Sequence, residues 1–139
     1  MPPKAAGYRA EQSAALAGLV HRRRIDPAHG ERLASLAAGP LARDGSPQVQ
    51  ATIRLLWRDF EKHSRVPERL VRALAKTCVE AQRAWATARA ESSWSTLEPW
   101  LRQVFDLKRE LGACRDPGGD PYDALLDDYE PGGRWRAIG

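Results

Sequence analysis

The sequence is poor in the residues that most often carry chemistry: its 139 positions hold two cysteines and three histidines. Cys78 and Cys114 have no second pair beside them, which excludes a disulfide-stapled scaffold and a four-cysteine zinc site. Reduced thiols and a cytoplasmic protein are therefore the expectation. No apolar run reaches the roughly 18 residues that a membrane span needs. The opening Met1-Pro2-Pro3-Lys4 lacks the apolar stretch of a secretory signal. No segment alternates apolar and polar residues for long enough to form a strand, so no sheet is expected. Internal repeats are also missing.

What the sequence does contain is charge and helical periodicity. Apolar residues make up 42% and charged residues 29%, which suits one soluble helical domain over 1–139. Residues 1–112 carry 19 Lys/Arg against 12 Asp/Glu, whereas residues 113–139 carry 3 against 6. The excess of cations raises the question of a polyanion partner. No nucleic-acid motif accompanies it, and most arginines recur at spacings that place them on the wet faces of helices. Nucleic acid is not an expected partner.

The periodicity predicts a first helix from Tyr8 to Arg24 with Leu16, Leu19 and Val20 as its buried stripe. Asp26-Pro27 ends it and opens a short second helix carrying Leu33, Leu36 and Ala37, broken by Gly39-Pro40. Leu41–Gly45 reads as a loop. Ser46-Pro47 pairs a hydroxyl cap with a ring that sacrifices no hydrogen bond, and Val49, Ile53, Leu56 and Phe60 then share one face. Val66-Pro67 begins the longest helix, about 67–91, with Leu70, Leu74, Cys78, Ala81, Trp85 and Ala88 as its stripe. Ser92-Ser93 interrupts it. Pro99 is expected to open a further helix carrying Leu101, Val104, Phe105, Lys108 and Leu111, with Gly112 as its C-terminal cap. The acidic segment 116–139 is turn-rich, with one short helix from Asp120-Pro121 through Leu126 and fraying from Arg134 to Gly139. The expected fold is an all-α, elongated helical bundle or hairpin built on one long central helix.

None of the usual reactive constellations is present. His21, His29 and His63 lack the His-Glu-x-x-His spacing that puts two imidazoles and a carboxylate on one helix face. His29-Gly30-Glu31 has the His-x-Glu spacing of a zinc deaminase without the required Pro-Cys-x-x-Cys. All three histidines read as solvated surface groups. Cys78, on an apolar stripe, reads as a buried inert thiol, and Cys114 beside Arg115 as a more exposed one without a histidine partner. Gly118-Gly119 precedes no Lys-Ser/Thr pair and is no phosphate loop. Asp120, Asp123, Asp127, Asp128 and Glu130 lack the alternate-position oxygens and central glycine of a calcium loop. Interleaved with Tyr122, Leu125, Leu126 and Tyr129, these acids read as a segment docked on the rest of the domain. Of the five tryptophans, Trp57, Trp85 and Trp100 read as core, and Trp94 and Trp135 as exposed.

Three stretches carry a resemblance. Pro121-Tyr122-Asp123-Ala124-Leu125-Leu126-Asp127-Asp128-Tyr129-Glu130-Pro131-Gly132 is the most specific. Asp59-Phe60-Glu61-Lys62 continues through Arg65-Val66-Pro67-Glu68-Arg69-Leu70-Val71 to Ala81-Gln82-Arg83-Ala84-Trp85 and Ala88-Arg89-Ala90-Glu91. Met1-Pro2-Pro3 precedes Arg9-Ala10-Glu11-Gln12. In that order they resemble the amino-terminal region of the thermostable, Taq-type zinc metallocarboxypeptidases. The resemblance implies an all-α enzyme, longer than this chain and commonly a homodimer, that removes residues singly from peptide C-termini. Its zinc is held by His-Glu-x-x-His and a downstream glutamate, with the motif glutamate as base. Nothing in this sequence matches those motifs, so no catalytic, cofactor-binding or metal residue is carried over. The expectation is a truncated or split N-terminal scaffold, without zinc of its own and inactive alone. Its expected partners are a second copy or a complementary catalytic chain. The alternative is a stand-alone helical interaction module.

Overall fold

The computed structural model describes residues 6–137. It is all-α, with no strand among the described residues: α1 (Ala6–Arg24), α2 (Pro27–Ala38), α3 (Pro40–Asp44), α4 (Pro47–Ser64), α5 (Glu68–Glu91), α6 (Trp94–Arg115) and α7 (Pro121–Leu126), followed by a 3₁₀ turn, Trp135–Ala137. No helix is long and apolar enough to cross a membrane among these residues. Three of the starts follow the local chemistry read in the sequence. Asp26 accepts from the Ala28 and His29 amides, Ser46 from Val49 and Asp120 from Tyr122, each ahead of a proline in the first helical turn.

The spine is α5, whose 24 residues make it about 36 Å long. It is flanked by α1 on one side and α6 on the other, while α2 and α3 pack on α4 and α7 on α6. The ion pair Arg22–Glu68 sets the end of α1 against the start of α5, and Glu11–Lys76 sets the early part of α1 further along α5, so the two run antiparallel. The centre of the core is Val66, Leu70 and Leu111, with Val71, Leu74, Leu107, Cys114 and Leu125 against it.

Several expected faces are rotated. On α1 the buried positions are Ala10, Ala14, Gly18 and His21, whereas Leu16 (62% exposed), Leu19 and Val20 face outward. Small residues let two backbones approach closely: a Cβ at Gly18 would stand 3.1 Å from the Arg72 stem. Hydropathy favours the large residues, and packing here favours the small ones. On α5 the inward seam is Leu70, Leu74, Thr77, Ala81, Ala84 and Ala88, all buried or half-buried. Its 4-3-4-3-4 stepping is the 3.5-residue repeat of a helix held between neighbours. Cys78 and Trp85 fall one position off that seam and are exposed, against expectation. Leu36, Val49, Leu56 and Phe105 are likewise more exposed than their spacing implied, although Leu33 and Ile53 are buried.

Element boundaries differ in four places. Leu41–Gly45 is mostly helical, because Pro40 starts α3 and the Gly45 amide closes it on the Leu41 carbonyl. Ser92, the left-handed C-cap of α5 (φ 52°), turns the chain so sharply that α6 begins at Trp94. Pro99 therefore lies inside α6 and does not open it. Gly112 is buried within α6 rather than capping it: Pro121 Cα would lie 2.8 Å from a Cβ there, so α7 sits directly on the α6 backbone. The segment after Arg134 is held through Ala137, since Trp135 donates from its backbone to Asp123 (2.8 Å) and from its indole to Asp120 (2.9 Å). Met1–Pro3 of the resemblance lie outside the described residues.

Candidate functional site

The densest chemistry lies where α7 and the turn after it meet α4 and α6. Lys62 of α4 reaches Asp127 (3.1 Å) and Asp128, Arg58 reaches Asp127, and Arg115 of α6 reaches Asp128 (2.6 Å). The Gly132 amide donates to Asp127 at 3.0 Å, and Arg65 donates to the Arg115 carbonyl at 2.9 Å. A cleft of about 240 Å³ opens among these groups, lined also by Arg134 and Asp123. Burial pushes the Asp127 carboxyl up, but the Gly132 amide, Lys62 and Arg58 outweigh it and leave the group below its ordinary value of 3.8. Asp128 is lowered in the same way, with Lys62 and Arg115 opposing burial. Carboxylates held ionised against matched cations are ties between elements. The acidic segment docks as expected, through Leu125 and the two aspartates, whereas Tyr122 and Tyr129 face outward.

The histidines are placed otherwise than expected. His21 is 3% exposed and bonds the Val66 carbonyl at 2.8 Å, clasping α1 to the start of α5. A polar ring inside the core is affordable because its nitrogen has a partner. His63 is half-buried, 2.7 Å from the Asp59 carbonyl and 3.0 Å from an Arg24 nitrogen. His29 remains exposed, edge-on to Phe60. Trp94 and Trp135 are exposed as expected. Among the described residues, no group of three His, Cys, Asp or Glu side chains is placed to hold a metal ion.

Sequence reasoning missed the His21 clasp, the position of Arg115 and the pairing of Lys62 with the two aspartates. One signal was available for the last. Asp59–Lys62 opens one stretch of the resemblance and Pro121–Gly132 is its most specific one, and the structure brings the two into contact. An open apolar groove of about 500 Å³ over α1, α5 and α6 shares Arg115 with the charged cleft.

Fold and site together define an all-helical scaffold whose charges tie its elements to one another. All of residues 1–139 match the family model described as Carboxypeptidase Taq (M32) metallopeptidase, and the chain belongs to that family. It is 38% identical to thermostable carboxypeptidase 1 of Thermus thermophilus over 99% of this chain and 29% of that protein. With thermostable carboxypeptidase 1 of Pyrococcus furiosus it shares 34% identity over 62% of this chain and 17% of that protein. A solved structure, titled BsuCP Crystal Structure, matches 99% of this chain and 27% of that one with a TM-score of 0.85, at 24% identity. The chain thus spans less than a third of the curated relatives it matches. The family is one of metallopeptidases, yet the described residues do not fit a resident metal. The buried imidazole is engaged by a backbone carbonyl, and the carboxylates of the cluster face lysine and arginine.

Proposed function

We propose that this sequence forms the N-terminal helical wall of a Taq-type metallocarboxypeptidase, an enzyme that releases residues singly from peptide C-termini. In this reading the metal-binding and catalytic groups come from residues that these 139 do not include. The observation that supports it is the family match along the whole chain, set against coverage of 29% of the Thermus thermophilus relative. The chain's own contribution is shape: α5 braced by α1 and α6, with α7 locked at one end by Lys62, Arg58 and Arg115. A cytoplasmic location goes with this reading.

The test has two arms. The purified 139-residue chain, supplied with zinc and a short peptide, is expected to release no C-terminal residue. A chimera in which it replaces the matched segment of the Thermus thermophilus enzyme is expected to release them. Release by the chain alone, with tightly held zinc, overturns the proposal. The exposed Leu16, Leu19 and Val20 favour a second reading, a stand-alone interaction module. That module predicts an inactive chimera and a stable complex with an unrelated protein.

A further inference from the structure

The groove over α1 exposes the molecule's own core. Its floor is Val66, Leu111, Val71 and Leu74, members of the central cluster or packed against it, and its wall is Leu16 and Val20. A second concavity, lined by Leu19, Val20, Arg23, Arg24 and His29, continues it toward α2. Val20 and Arg24 belong to both, so the two form one strip. Isolated apolar residues on a surface are ordinary, but a contiguous strip that opens into the core marks an interface.

The area of the chain points the same way. It exposes 9653 Å². A compact monomer of this mass exposes about 7,200 Å², so the excess is about 2,400 Å². One partner's share of a permanent interface is about 1,000–2,500 Å², and the excess lies at the upper end of that range. The solved relative keeps this fold over 99% of the present chain while devoting 27% of its own length to it, so most of that chain lies beyond the shared fold.

We infer that the strip formed by Leu16, Leu19 and Val20 with the groove behind them is the seat on which the remainder of the carboxypeptidase fold packs. The inference rests on the function proposed above and names the surface that joins the wall to the catalytic part. The strip is apolar along its centre and carries Arg23 at its edge, while Arg24 is already turned to Asp59 and His63. Its occupant is therefore an apolar helix face with a carboxylate opposite Arg23.

The test compares one pair of substitutions in two settings. In the isolated 139-residue chain, Leu16→Asp and Val20→Asp replace outward-facing side chains, and the thermal midpoint is expected to stay within a degree or two of the parent. In the chimera with the Thermus thermophilus relative, each is expected to lower the midpoint by roughly 5 °C or more, because the aspartate is then buried. Phe105→Asp, exposed on α6 away from the strip, is expected to lower neither. Equal responses in chain and chimera overturn the inference. So does an isolated chain that sediments as a dimer and becomes a monomer on Leu16→Asp, since a second copy would then be the occupant. A folded chimera that shows the stability contrast but releases no residue from peptides leaves the seat in place and removes the functional reading.

Discussion

At the scale of single residues, size and backbone proximity decide positions that hydropathy misassigns. Cys78 is the plainest case: an apolar side chain on an apparently apolar stripe, turned to solvent because Thr77 takes the seam. A thiol reagent is expected to modify Cys78 in the folded protein at close to the rate of a free thiol, and the half-buried Cys114 more slowly. Slow labelling of Cys78 without denaturant would contradict this rotation. Two glycines make a sharper contrast. At Gly112 an added methyl meets the Cα and Cβ of Pro121, both 2.8 Å away, and neither can swing aside. Gly112→Ala is expected to destabilise by about 1–3 kcal/mol. At Gly18 the nearest atom is the carboxylate tip of Glu68, 2.7 Å away, with the flexible Arg72 stem next, and both can shift together with their surface ion pair. Gly18→Ala, which regains about 1 kcal/mol of helix propensity, is expected to be close to neutral. Urea midpoints of the two variants check the pair. His21 and Arg115 could not be read from sequence for a related reason. Each owes its role to a carbonyl or carboxylate many residues away, and neither has a local pattern that announces it.

At the scale of elements, boundaries set by neighbouring residues were legible and boundaries set by distant ones were not. Asp26-Pro27, Ser46-Pro47 and Asp120-Pro121 each carry cap and ring side by side, and each starts a helix. The turn Trp135–Ala137 exists because Asp120 and Asp123 receive its donors, a partnership invisible in the residues around Arg134. The cluster of the candidate site was half legible in the same sense. Asp127 and Asp128 stood out as acids in a docking segment, while Lys62 drew notice only through its resemblance motif. The docked state of α7 carries a pH dependence whose sign follows from these contacts. The carboxyls of Asp127 and Asp128 lie below their ordinary value of 3.8 in the folded chain. A lowered carboxyl contributes stability in full above its unfolded value and loses it as pH falls through the folded one. The ties are therefore expected to be complete at pH 5 and above and to weaken below about pH 4. Asp127→Asn removes one of them, at about 1 kcal/mol near neutrality for a partly buried pair. Thermal midpoints from pH 6 to pH 2 check both points. The variant should fall less steeply than the parent below pH 4, and parallel curves would count against these carboxylates as the source.

At the scale of the whole molecule, the helical class and the central helix were legible because period and length are properties of long stretches, which local error does not erase. Which face of each helix is buried was not, since that depends on neighbours competing for the same spine. The outcome is an uneven molecule. Both α1 and α6 pack extensively on α5, whereas the layer of α2, α3 and α4 meets α1 through far fewer contacts. Leu33 and Ile53 are the large apolar residues buried in that layer, against Val66, Leu70 and Leu111 at the spine. Local stability follows buried contact, so opening is expected to proceed in two tiers. Amide hydrogens of α5 between Leu70 and Ala88, together with those of α1 around Ala10–Gly18 that face them, should exchange only through global unfolding. Those of α2 and α3 should exchange by sub-global opening, at least tenfold faster. The His21–Val66 bond lies on the slow side of this divide, because it joins α1 to the start of α5. The Arg24–His63 contact, which ties the end of α1 to the end of α4, lies on the boundary. Hydrogen exchange followed by mass spectrometry of peptides from each helix separates the tiers directly. Uniform protection across α2 and α5 would mean that the two layers unfold as one cooperative unit, and that the small cluster around Ile53 and Leu33 is worth more than its buried area implies.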